Sequence, residues 1–283
     1  MSKREPDHGS HAGNEGDALK HPVLAGVATH LVKPGKVFVY AESHAGRPEY
    51  VLPMANGKWK AGIGELSKAI EKANGQYIAS GDEQARILLA ATQAFVQAVK
   101  FGGGTWPAIP KGFYLGSTAI VKAVIQQAGV GFVFKLYDTD PNVCNALNYC
   151  HLRQVAECKD GYDELLKLQE ADLVLVDPSL IREGDIDRIL LALEHLVSKG
   201  IPFICWTPRL GNDAGQPAAI YAEFLADAQK RLGGFGISPL LVRWSKWRAR
   251  TCGCCLHVWP GHVQAVARQI VDEIRKAMGW DEA

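Results

Sequence analysis

The chain has 283 residues, 47% of them hydrophobic and 22% charged, enough to bury one large α/β core or a domain that carries a sizeable insertion. With 31 Lys and Arg against 30 Asp and Glu the formal net charge is +1, which excludes a global field for nucleic acid or membrane and leaves any RNA contact to a local basic patch. Its 7 cysteines, an odd number, favour reduced thiols; 1–16 has no apolar signal core and no apolar run nears the roughly 20 residues that span a bilayer, so a cytoplasmic protein without membrane contact is expected.

Residues 1–10 read as a disordered lead-in, within a flexible N-terminal stretch over 1–16. Leu19, Val23, Leu24, Val27 and Leu31 share one helical face and predict a helix over 17–31. Lys36 to Glu42 is a short apolar run ending at the polar turn Ser43-His44-Ala45-Gly46, the pattern of a buried strand with a loop at its carboxyl end. Between 47 and 112 the rhythm changes. Ser80-x-x-Glu83 matches a capping box. Ile87, Leu88, Ala91, Phe95 and Val99 follow at helical spacing, and Gly102-Gly103-Gly104 stops that helix. No strand is expected between Tyr50 and Trp106, so 47–112 is read as a helical insertion. Gly62-x-Gly64 within it reads as a helix-entry turn rather than a phosphate cradle.

From Lys111 onward strands and helices alternate. Helices are expected over 117–128, 162–169, 186–199, 217–232 and 263–278. Strands are expected at Phe132 to Tyr137, Val155 to Cys158, Leu173 to Val176 and Ile201 to Trp206, with Leu240 to Trp247 and Thr251 to Trp259 paired as a hairpin. Leu173 to Val176 is apolar throughout, as a strand buried on both faces requires. The alternation predicts an α/β fold: a mostly parallel, doubly wound sheet with a C-terminal antiparallel hairpin. One domain, 17–46 and 113–283, would be interrupted by the inserted helical subdomain.

In such a sheet the ligand crevice lies at the carboxyl ends of the strands. His44 follows the first strand, Asp138 the second, Asp160 the third, and Asp177-Pro178 the fourth. A carboxylate after the second strand offers two acceptor oxygens to the hydroxyls of a ribose, and one after the third can accept from an adenine amino group. A carboxylate after the fourth would face the group being modified. A single acid at a strand end is an ordinary turn residue; the ordered set is the signal. Arg243, Lys246, Arg248 and Arg250 interleave with Trp244 and Trp247. Their two equal readings are an RNA surface and a hairpin with one buried aromatic and one solvated basic face. Cys252-x-Cys254-Cys255, with His257 as one further ligand, fits no zinc spacing and reads as buried strand thiols, with no metal expected.

His11-Ala12-Gly13-Asn14-x-x-Asp17-x-Leu19-Lys20-His21 resembles the opening signature of the RlmJ family of ribosomal RNA adenine-N6 methyltransferases. Ser43-His44-Ala45-Gly46 is similar to that family's Thr-His-Ala-Gly, Gly116-Ser117 to its Pro-Gly-Ser, Asp160-Gly161-Tyr162 to its Asp-Gly-Phe, and Trp206-Thr207-Pro208 to its Trp-Tyr-Pro. The resemblance implies a Rossmann-like class I methyltransferase fold, S-adenosyl-L-methionine as cofactor, and ribosomal RNA, protein-free or partly assembled, as partner. It places Lys20, His21 and His44 around the methionine part of the cofactor, with Gly46 and Ser117 nearby. Asp138 would take the ribose, where the family usually has Glu, and Asp160 with Gly161 the adenine edge. Asp177 and the Pro178 carbonyl would be catalytic, accepting the two hydrogens of the adenine amine and localising its lone pair for in-line attack. Asn14, Ser179, Leu180, Lys246, Arg248 and Arg250 would contact substrate.

The family's Asp-Pro-Pro-Tyr is Asp177-Pro178-Ser179-Leu180 here, which lacks the aromatic face that stacks on a flipped-out base. Its His-Ala-Gly-Ala-Gly is His44-Ala45-Gly46-Arg47-Pro48, and residues 1–10 contain no aromatic side chain where the family has one. Three readings follow: an adenine-N6 methyltransferase, a methyltransferase with another substrate, and a cofactor-binding relative with impaired catalysis that acts as a nucleic-acid binding module.

Overall fold

A computed structural model describes residues 12–52, 57–104, 113–150, 156–178, 184–210, 219–243 and 251–282. In chain order its elements are α1 (Glu15–Leu31), β1 (Phe38–Glu42), β2 (Glu49–Val51), α2 (Ile63–Ser80), α3 (Glu83–Phe101), β3 (Phe113–Leu115), α4 (Ser117–Gln127), β4 (Phe132–Asp138) and α5 (Pro141–Tyr149). There follow β5 (Glu157–Cys158), α6 (Gly161–Leu165), β6 (Leu173–Val176), α7 (Asp185–Ser198), β7 (Phe203–Leu210), α8 (Ala219–Leu232), β8 (Leu240–Arg243), β9 (Thr251–Trp259), α9 (Gly261–Met278) and β10 (Asp281–Glu282).

Eight strands form one sheet in the order β10-β8-β9-β7-β6-β1-β4-β5. The run β7-β6-β1-β4-β5 is parallel, whereas β9, β8 and β10 add antiparallel pairings at one side. The chain winds outward from β1 through β4 to β5, then crosses back to β6 on the other flank of β1. The strand order therefore switches between β1 and β6, where a doubly wound sheet opens a crevice at its carboxyl edge. β6 is buried along its whole length, as its apolar sequence requires.

Two cores cover the sheet. One joins α1, α4 and α9 to Phe38, Tyr40, Leu173 and Leu175, and the helices between 47 and 112 belong to it through Ile63, Leu66, Ile70, Phe95 and Val99. The other packs α6, α7 and α8 on Val174, Val176, Phe203 and Cys205. The result is a three-layer α/β/α arrangement of Rossmann-like type. Among the described residues no helix is long and apolar enough to cross a membrane.

Three local expectations are corrected. Helix α1 is not a one-faced amphipathic helix: Ala18 through Ala25 are all buried, Lys20 and His21 included, because α1 is enclosed by other helices and the sheet. Ser80 does not cap α3; it is the last residue of α2, where its hydroxyl donates to the Gln76 carbonyl at 2.9 Å. Gly81, at φ +66°, ends α2 and turns the chain so that the Asp82 carboxylate accepts from the Ala85 N–H at 3.1 Å. A strand also stands where none was expected. β2 pairs antiparallel with β3, Tyr50 opposite Tyr114, and local periodicity carries no trace of so short and long-range a pairing.

Candidate functional site

Asn14 ends the approach to α1 and caps it, its side-chain oxygen accepting from the Asp17 N–H at 3.0 Å. Asp17 returns the bond, accepting from the Gly13 N–H at 2.8 Å. This reciprocal cap places Asp17 one turn before Lys20. The Lys20 ammonium lies 3.0 Å from the Asp17 carboxylate and 2.6 Å from that of Asp177, and 5.2 Å from the centre of the Trp206 ring. Burial opposes its charge, yet Asp177 and Asp17 outweigh burial and hold the Lys20 pKa above its ordinary value. Asp17 is affected in the complementary sense: burial would raise its pKa, but Lys20 and His21 bring it below normal. Gly16 leaves room for the Trp206 indole, whose nearest ring atom would lie 2.7 Å from an added Cβ. The His21 ring meets the Tyr114 hydroxyl at 2.5 Å; burial pushes its pKa down to about 3, so the imidazole is neutral at physiological pH.

β1 delivers a second buried acid. Glu42 is 0% exposed and receives the hydroxyls of Ser117 at 2.5 Å, Tyr40 at 2.9 Å and Thr118 at 3.0 Å. Burial drives its pKa up to about 8, with the Asp177 charge adding to the rise and the Ser117 bond opposing it. Beyond Glu42 the chain bridges the two neighbouring strands: the Ser43 N–H donates to the Leu175 carbonyl of β6 and the Ala45 N–H to the Tyr137 carbonyl of β4. His44, between them, pairs its Nδ1 with the Ser43 hydroxyl at 2.8 Å and sets its ring edge-on to Tyr162 at 4.9 Å. Burial lowers its pKa.

Asp138 closes β4. One of its oxygens accepts from the Asp140 N–H at 2.9 Å and the other from the Gly46 N–H at 3.2 Å, which leaves each with acceptor capacity. Asp160 caps α6, and Gly161 packs so tightly that a Cβ there would sit 1.9 Å from the Ser43 carbonyl oxygen. Only glycine lets α6 begin against the turn after β1.

The structure thus brings Asn14, Lys20, His21, Ser117 and Asp177 together around one buried charge cluster, and sets His44, Gly46, Asp138, Asp160 and Gly161 along the adjoining strand ends. His21 and Ser117 are buried, at 3% and 5% exposure, and engaged by Tyr114 and Glu42. Pro178 is buried directly after Asp177. Ser179, Leu180, Lys246, Arg248 and Arg250 lie outside the described residues, as do Trp244 and Trp247; Arg243 is exposed and pairs with Asp281 at 3.4 Å. Cys254 and Cys255 are buried in β9. Sequence reasoning assigned no role to Glu42, Tyr114, Trp206 or Arg188. Glu42 left one signal, a charge closing an apolar strand; the others are placed by contacts across long stretches of chain.

No protein-family model matches the chain. It is 24% identical over 197 residues to ribosomal RNA large subunit methyltransferase J of Haemophilus influenzae, a match covering 66% of this chain and 63% of that protein. The protein of the same name from Escherichia coli K12 is 24% identical over 187 residues, covering 65% and 61%. The matched region therefore spans less than two thirds of either relative. Among solved structures, protein LPL1258 from Legionella pneumophila str. Philadelphia 1 shares the fold with a TM-score of 0.71 at 19% identity, covering 95% of this chain and 94% of that one. The sequence matches carry the relationship and the structural match carries the fold: the chain is a distant relative of the ribosomal RNA large subunit methyltransferase J proteins.

Proposed function

We propose that this protein transfers a methyl group from S-adenosylmethionine to the N6 amino group of an adenine in ribosomal RNA. The observation that carries the reading is the set of acceptors just after β5, at the end of β4 and just after β6, Asp160, Asp138 and Asp177, at the carboxyl edge of a doubly wound sheet in which β1 stands between β4 and β6. The first two suit an adenosine. Asp138 keeps one free acceptor position on each oxygen for a vicinal diol, and Asp160 keeps one oxygen without a hydrogen bond among the described residues. Lys20, His44 and Gly46 would surround the amino-acid end.

When bound, the cofactor supplies an electrophilic sulfonium methyl group. The protein's part is to position the amine and shape its electrons. Asp177, fixed through one oxygen by Lys20, presents its other oxygen to an amine hydrogen, and the Pro178 carbonyl accepts the second. Both bonds draw the amine lone pair out of conjugation with the ring and aim it along the attack line. Asn14, as the α1 cap, holds the Asp17 and Lys20 end of this arrangement, while Ser179, Leu180, Lys246, Arg248 and Arg250 are proposed to meet the RNA.

Calorimetric titration with S-adenosylhomocysteine, followed by nucleoside mass spectrometry of 23S ribosomal RNA transcripts incubated with the protein and S-adenosylmethionine, tests the reading. Expected are binding that weakens at least about tenfold in Asp138→Ala and N6-methyladenosine that disappears in Asp177→Ala. Binding without any transfer to RNA would replace this reading with that of a noncatalytic cofactor-binding module. No binding at all would refute both.

A further inference from the structure

Arg188, in the first turns of α7, reaches back to the cap of α6. Its guanidinium lies 2.6 Å from Asp160 Oδ1 and 2.9 Å from Asp163 Oδ1, and 5.0 Å above the Tyr162 ring. The same Asp160 oxygen also accepts the capping N–H bonds of Tyr162 at 3.0 Å and Asp163 at 3.3 Å. Every hydrogen bond to this carboxylate therefore falls on Oδ1, and Oδ2 receives none among the described residues.

We propose that Arg188 is a positioning residue for nucleobase recognition: it orients Asp160 so that Oδ2 faces the crevice and accepts from an exocyclic amino group. The proposal rests on the reading that an adenosyl cofactor occupies the crevice. The capping N–H groups alone do not distinguish the two carboxylate oxygens, which exchange by rotation about χ2. A guanidinium anchored independently, by Asp163 and by stacking on Tyr162, does distinguish them, its Nη2 donating to both carboxylates at once. An ionised carboxylate only accepts hydrogen bonds, so it selects a base carrying an amino group over one carrying an oxo group at the same position. Burial would raise the Asp160 pKa, but the Arg188 bond and the capping N–H groups bring it below the ordinary value and keep the acceptor ionised.

The tie has a second end. Tyr162, under the guanidinium, carries His44 on its edge, and α7 is the helix that follows the segment after Asp177 and Pro178. Arg188 thus joins the base-recognition turn, the β1 loop and the helix after the Asp177 segment in one contact chain. Its side chain is 38% exposed, and ion pairs of that kind contribute little to folding, so a variant remains folded.

The test is calorimetric affinity for S-adenosylhomocysteine and S-inosylhomocysteine, which differ in the amino or oxo group on the base and in the N1 proton that accompanies the oxo group. The wild type is expected to prefer the adenosyl ligand by about tenfold or more. In Arg188→Ala the preference should fall to within about threefold, with Arg188→Lys intermediate. Asp160→Asn should also lose the preference, and adding Arg188→Ala to it should change the ratio no further. If Arg188→Ala weakens both ligands equally and keeps the ratio, or leaves both unchanged, the proposal is wrong. If the wild type binds neither ligand, this proposal and the cofactor reading both fall, whereas wild-type binding with an unchanged ratio in the variant removes this proposal alone.

Discussion

Replacing Glu42 by glutamine removes one titratable proton from the most enclosed carboxyl group of the site while keeping its shape. Glu42 is 0% exposed, and burial sets its pKa at about 8 against an ordinary value of 4.5. The folded protein holds this proton at pH values where the unfolded chain has released it. The contribution to stability is therefore fully present below about pH 4.5 and is lost as pH rises towards 8. Each pH unit inside that window is worth about 1.4 kcal/mol, so between pH 5 and 7 this group alone should cost the wild type about 2–3 kcal/mol. The glutamine side chain of Glu42→Gln has no proton to release. Urea denaturation of both proteins at pH 5, 6, 7 and 8 should show the variant gaining on the wild type by that amount from pH 5 to 7. Taking the difference removes the contributions of His21 and His257, whose depressed pKa values act with the opposite sign. A difference that stays flat from pH 5 to 8 would mean that Glu42 is ionised in the fold, and the reasoning would fail.

Other perturbations probe other parts of the site. Lys20→Met strips the ammonium from between Asp17 and Asp177 and should lower stability by about 3–5 kcal/mol in urea denaturation at pH 7, with Lys20→Arg costing less because it keeps the charge; a methionine variant as stable as the wild type would show that the cluster does not need its cation. Gly161→Ala puts a methyl group 1.9 Å from the Ser43 carbonyl oxygen, so α6 has to move away from the β1 turn. A loss of about 1–3 kcal/mol, with weaker S-adenosylhomocysteine binding, is expected, and unchanged values for both would contradict the close packing.

What could be read in the sequence was whatever obeys a local rule. The apolar run Leu173 to Val176 reads as a doubly buried strand because every position must be apolar when helices cover both faces, and it is one. The alternation of strand and helix after Lys111 and the hairpin partners around Leu240 and Thr251 follow the same logic of short periods and turn residues. The acids at the strand ends were legible for a related reason: once the strands are placed, doubly wound topology sends their carboxyl ends to one edge.

Tertiary structure decided the rest. Lys20 and His21 occupy an ordinary helical stretch by sequence; they are buried only because other helices and the sheet close around α1, and burial is what turns Lys20 into the fixed partner of Asp177. Glu42 became a carboxyl with a raised pKa through exclusion of water and the charge of Asp177, far along the chain, against the opposing bonds of Ser117 and Thr118, and none of these has a local pattern. The bond from Arg188 to Asp160 depends on how α7 crosses α6, and β2 exists only because β3 comes back to meet it. Periodicity reports which face of an element is apolar, within a turn or two of the chain. Which distant groups share that buried space is settled by packing, and the packing sets the charges at this site.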